Sequence, residues 1–118
     1  MSDQDYSRVL DWNAALELAG GNAQLAQDLL QMLIEEAPRL LERLEHGLNG
    51  GDPQALWDDA HKLHGSTAYC GVPALREASA GLESAIKQDD LPGVRTRVAE
   101  VRQALDALIA AAERSPGP

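Results

Sequence analysis

Residues 91–112 read LPGVRTRVAEVRQALDALIAAA, and within them Leu91, Val98, Leu105 and Ala112 recur every seven positions with Val94, Val101 and Leu108 between them. Alternating three- and four-residue steps are the a/d pattern of helices that pack nearly parallel or antiparallel. The stretch therefore predicts a long helix beginning around Pro92 that must bury its apolar stripe against partners.

Working toward the N-terminus, Pro73 opens a fourth helix carrying Leu75, Ala78, Leu82 and Ile86. Asp52-Pro53 is an N-cap followed by a first-turn proline, so a third helix starts there, with Leu56, Ala60, Leu63, Thr67 and Cys70 on one face, and ends near Gly71. A second helix runs from the capping Asn22 to Asn49-Gly50-Gly51, with Leu25, Leu29, Met32, Leu33, Leu40 and Leu44 as its buried stripe. Pro38 lies inside it and predicts a kink between Glu35 and Pro38, with a full break as the alternative. Glu36 falls on the stripe against its polarity. Asp11 caps a short first helix with Trp12, Ala15 and Leu16, stopping at Gly20-Gly21. The expected fold is all-α: an up-down-up-down four-helix bundle with a short additional N-terminal helix over residues 11–113. Residues 1–10 form an expected flexible lead-in and residues 114–118 an expected flexible tail, where prolines cannot continue a helix.

Composition agrees with one helical domain, since 118 residues carry only four aromatics (Tyr6, Trp12, Trp57, Tyr69) and no Phe. Ten Lys and Arg against 19 Asp and Glu give a net charge of −9, which argues against nucleic acid as a partner. The longest apolar runs, around Gln31, fall far short of the roughly 18 residues of a membrane span, so no direct membrane contact is expected. The single Cys70 cannot form an internal disulfide, and the N-terminus is acidic where a secretory signal would be basic. A cytoplasmic location is the expectation.

Chemistry is concentrated in His61-Lys62-Leu63-His64-Gly65-Ser66 of the third helix. No P-loop and no Gly-x-Ser-x-Gly elbow occurs, so a self-contained catalytic site is not expected. At about 100° per residue His61 points roughly 140° from the core stripe and should face solvent, while His64 lies nearer its edge as a boundary histidine bonded to a neighbouring helix. Gly65 and Ala68 follow His61 by one and two turns, leaving the surface beside its ring nearly free of side chains. Imidazoles ordinarily titrate near about pH 6.5, so an exposed one offers a nitrogen lone pair to phosphorus at neutral pH. Lys62 and His64 would add positive charge or donors for phosphoryl oxygens. Trp57, one turn before His61, is either an apolar docking contact or a bundle-edge packing residue. A competing reading makes Asp58, His61 and His64 a metal site, and a third makes the chain a helical interaction module without phosphoryl chemistry. Cys70 reads as a small buried thiol on the core stripe.

His61-Lys62-Leu63-His64-Gly65, followed by Tyr69-Cys70-Gly71-Val72-Pro73, resembles the histidine-containing phosphotransfer (HPt) domain, in particular the C-terminal HPt domain of BarA/GacS-type hybrid sensor kinases. The likeness covers roughly Leu10 to Ala112. It implies that His61 accepts a phosphoryl group from a receiver-domain aspartyl phosphate and passes it to the aspartate of a response regulator. Lys62, His64 and Gly65 would support the transfer, and Trp57 and Ala68 would dock the partner. Many members carry Lys where this chain has His64, whereas the following glycine is retained as Gly65. The resemblance further implies a substrate of receiver domains, not an enzyme, with no cofactor or metal of its own because the receiver supplies Mg²⁺. It also implies a monomer in isolation and the cytoplasmic C-terminal part of an inner-membrane sensor kinase.

Overall fold

The computed structural model describes residues 7–115 and residue 117. Residues 1–6, most of the expected lead-in, and residues 116 and 118 of the expected tail lie outside the described residues. Residues 7–9 are helical, and five helices follow: α1 (Trp12–Leu18), α2 (Ala23–Gly47), α3 (Pro53–Thr67), α4 (Pro73–Lys87) and α5 (Leu91–Arg114). Each packs on the next through a short connection, and α5 closes on α2, so α2 to α5 form an up-and-down four-helix bundle with α1 against α2. The molecule measures 42 × 28 × 21 Å, its long axis close to the roughly 37 Å that 25 helical residues span.

Local chemistry fixes the helix starts. The side chains of Asp11, Asn22, Asp52 and Asp90 accept from the backbone N–H of Ala14, Leu25, Gln54 and Gly93, satisfying orphan donors of the first turn. Pro53, Pro73 and Pro92 occupy first-turn positions, where a missing N–H costs nothing. Gly71 ends the turn after α3 with φ of 61°, and its carbonyl accepts from Asp11 N–H at 2.8 Å. A Cβ there would stand 2.5 Å from the Asp11 carbonyl oxygen, so only glycine permits this close approach.

Four readings of the sequence need correction. The α2 helix runs unbroken through Pro38, excluding the full break. Its buried row is Ala26, Leu30, Leu33, Ala37, Leu40, Leu41 and Leu44, whereas Leu25 and Met32 are exposed and Leu29 is half-buried. Two overlapping helical rows compete here, and the bundle chooses the one with alanines because small residues let helix backbones approach. Leu91 is likewise exposed, one turn before Val94 enters the core. Leu10, assigned to the lead-in, is buried in the main core, at the position before an N-cap where an apolar residue anchors the entering chain. At the other end Trp12 Nε1 donates to Ser115 Oγ at 3.0 Å, tying the two ends of the described chain together.

Buried polar groups are answered within the fold. Thr67 Oγ1 donates to the His64 carbonyl and Ser79 Oγ to the Leu75 carbonyl, so neither hydroxyl is stranded in the α3–α4 seam. The Arg43 guanidinium on α2 reaches the buried Asp59 carboxylate of α3 at 3.1 Å. On the surface, hydrogen bonds from Arg102 hold the Glu45 carboxyl below the usual carboxylate range.

Substitution of Leu33 by Ala should cost about 2–5 kcal/mol in urea denaturation, while Met32→Ala should stay within about 0.5 kcal/mol. Comparable losses for both would restore the larger-residue row to the core. Burial pushes the Cys70 thiol up to about 11, with Sγ directed at the carbonyls of Leu29 and Ser66. A disulfide reagent at pH 8 should therefore modify the native protein far more slowly than the urea-unfolded chain. Equal rates would contradict this burial.

Candidate functional site

The α3 helix places His61 and His64 three residues apart, on neighbouring positions of one surface facing α4. His61 keeps 68% of its side chain in solvent, and His64 keeps 29%. Both rings turn to one group that sequence reasoning missed. Glu83 Oε1 on α4 lies 3.1 Å from His61 Nδ1 and 3.2 Å from His64 Nδ1. An ionised carboxylate only accepts, so both contacts require the imidazole to donate from Nδ1. That tautomer leaves His61 Nε2 as the nitrogen with a free lone pair, on an exposed ring with no other hydrogen bond.

The ring of His61 is held from a second direction. Trp57, one turn earlier, is half-buried and stacks on it with centroids 5.4 Å apart and planes 17° from parallel. Lys87 from α4 places Nζ 5.7 Å from the Trp57 ring centroid. Trp57 is therefore both a packing residue at the bundle edge and the wall of the histidine. On the other side of His61, Gly65 is exposed, and a Cβ added there would meet nothing within 4 Å. Ala68 is half-buried at the C-cap of α3.

Lys62 turns away from His61 toward α2, where Nζ stands 3.5 Å from Glu36 Oε1. This explains Glu36, the acidic residue on the α2 stripe: it sits at the stripe's edge in the α2–α3 groove, with Oε1 closed to solvent and without a hydrogen bond. The groove is lined by Leu29, Met32, Glu36, Lys62, Gly65 and Tyr69, among others. Met32 and Tyr69 are each 61% exposed, so an apolar surface adjoins the clear space at Gly65. Asp58, the third residue of the metal reading, accepts from Gln54 Nε2 at 3.0 Å. Among the described residues no three His, Cys, Asp or Glu converge as a metal set, and no described helix is long and apolar enough to cross a membrane.

Residues 28–111 match the family described as "Hpt domain". The chain is 42% identical over 87 residues to the "Signal transduction histidine-protein kinase BarA" of Escherichia coli (strain K12), covering 70% of this chain and 10% of that protein. It is also 42% identical over 83 residues to the "Sensor histidine kinase GacS" of Pseudomonas protegens, covering 70% and 9%. The chain thus spans about a tenth of the length of these curated relatives. A crystal structure of the HPT domain from a Shewanella hybrid histidine kinase superposes with a TM-score of 0.75 at 28% identity, covering 92% of this chain and 97% of that one. With an all-helical bundle, an exposed histidine beside a glycine, and this match across most of its length, the chain belongs to the Hpt domain family, the histidine phosphotransfer modules of two-component signalling.

Proposed function

We propose that His61 is the phosphorylated histidine, accepting a phosphoryl group from a receiver-domain aspartyl phosphate of a hybrid kinase and passing it to the aspartate of a response regulator. The observation that carries this reading is the exposed His61 ring, with Nδ1 committed to Glu83 and Nε2 free, one helical turn before the uncovered Gly65. The Nε2 lone pair forms the N–P bond while the P–O bond to the receiver aspartate breaks, its electron pair leaving with that carboxylate. Nδ1 keeps its proton, and the positive charge that arises on the ring faces the Glu83 carboxylate. No proton needs to be removed, so no general base is required of this chain.

On this reading the domain is a carrier, a substrate of its receivers more than an enzyme, and the receiver brings Mg²⁺. Receiver domains would dock over the apolar surface of Met32 and Tyr69, with Gly65 and Ala68 giving clearance for the phosphorylated side chain. Lys62, paired to Glu36 across the groove, would meet the partner at its rim. The relatives are named as histidine kinases of signal transduction and sensing, which supports a module of a sensor kinase; its monomeric state and its place in the cytoplasmic C-terminal part of an inner-membrane protein belong to the same proposal.

Labelled phosphate transferred from a phosphorylated receiver with Mg²⁺ should appear on the wild type and on His64→Gln as an acid-labile, base-stable adduct, and be absent from His61→Gln. Label that persists on His61→Gln moves the acceptor elsewhere. Because no atom stands where a side chain at position 65 would begin, Gly65→Gln should slow transfer while leaving the circular dichroism spectrum and denaturation midpoint nearly unchanged. Wild-type transfer rates in Gly65→Gln would remove the clearance role.

A further inference from the structure

We propose that His64 is a positioning residue that acts on His61 through Glu83: it secures the carboxylate from the more buried side of the α3–α4 seam, so that the same oxygen sets the ring of His61. The kinetic half of the proposal rests on His61 being the acceptor, whereas the structural half does not.

The burial of the three side chains is graded. His61 is 68% exposed, His64 29% and Glu83 16%, so the shared oxygen sits between an exposed outer ring and a confined inner one. A carboxylate oxygen has two lone pairs and can take both N–H donors at once. An isolated glutamate held only by an exposed imidazole would give up about 1.5–2 kcal/mol of rotamer freedom for a hydrogen bond that water can replace. The second bond, to a ring itself confined by the helices, offsets that loss.

No other group performs this task. Glu83 has no ion pair with Lys or Arg among the described residues. Lys62 is directed to Glu36, and Lys87, one turn after Glu83, lies over Trp57. Arg76, two turns before Glu83, is exposed and makes no ion pair. A neutral His64 whose one N–H, on Nδ1, is given to Glu83 keeps no N–H donor for phosphoryl oxygens, which sets it apart from a residue that contacts the phosphoryl group.

The test uses the ¹⁵N-labelled domain at pH 8 and long-range ¹H–¹⁵N correlation of the His61 ring, in the wild type, His64→Leu, His64→Lys, Glu83→Ala and the Glu83→Ala/His64→Leu double variant. Wild-type His61 should carry its proton on Nδ1. The ratio of Nδ1–H to Nε2–H forms should fall about two- to tenfold in His64→Leu, the loss expected for weakening one hydrogen bond. His64→Lys should restore it by supplying N–H donors to the same oxygen. Glu83→Ala should lose at least as much, with no further change on adding His64→Leu. Phosphoryl transfer from a receiver should slow in the same order. An unchanged His61 tautomer in His64→Leu, or additive effects in the double variant, would overturn the proposal. If wild-type protein takes no label, the acceptor role fails and the tautomer ratios alone decide the role of His64.

Discussion

The register of α3 against α4 is the constraint on which the site depends. The seam is built from Ala60, Leu63 and Thr67 on one side and Leu75, Ser79 and Leu82 on the other, each nearly inaccessible to solvent. Small residues at three of these six positions draw the backbones together, and hydroxyls that donate to their own helix carry no desolvation debt across the seam. A shift of either helix by one residue would turn these side chains by about 100° and strand them. The same lock sets Glu83 opposite both histidines. A packing constraint, and not an electrostatic one, therefore decides which carboxylate meets which ring.

Burial and exposure divide the work of the α2 helix. Ala26, Leu30, Leu33 and Ala37 hold the bundle, while in a second apolar row Leu29 packs on the core's edge and Leu25 and Met32 are exposed. An apolar side chain in water gives up the roughly 1.5–3 kcal/mol that burial would return. The Lys62–Glu36 pair cannot make up the difference, since an exposed pair of this kind contributes about 0–1 kcal/mol. The exposed members of this row therefore add little to the stability of the isolated domain, which agrees with the docking role proposed for this surface.

This row also marks the limit of what the sequence shows. Five helices, the caps Asp11, Asn22 and Asp52 and the first-turn prolines were legible because each rests on a local rule. His61 was legible because its angular distance from the stripe on α3 is large enough to survive errors of a residue or so in the helix boundaries. The α2 stripe was misplaced because side-chain size outweighed small residues when two helical rows overlapped. Glu83 was missed because its partners lie on another helix.

A phosphoryl carrier must receive and release the same group, and the geometry around His61 suits both directions. On the proposed reading, a ring with its proton on Nδ1 would attack as a neutral nucleophile and depart as a neutral imidazole, so neither half-reaction would need an acid or base from this chain. The Glu83 carboxylate would offset the positive charge carried between the two steps, and the Trp57 stack limits ring rotation. Holding the ring lowers the orientational cost of each encounter, the part of the barrier that a positioned nucleophile removes. The phosphoryl oxygens and the leaving carboxylate are then matters for the receiver. On the proposed reading, a domain with one oriented imidazole, a bare glycine one turn further on and an exposed apolar surface would be chemically sufficient for that share of the transfer.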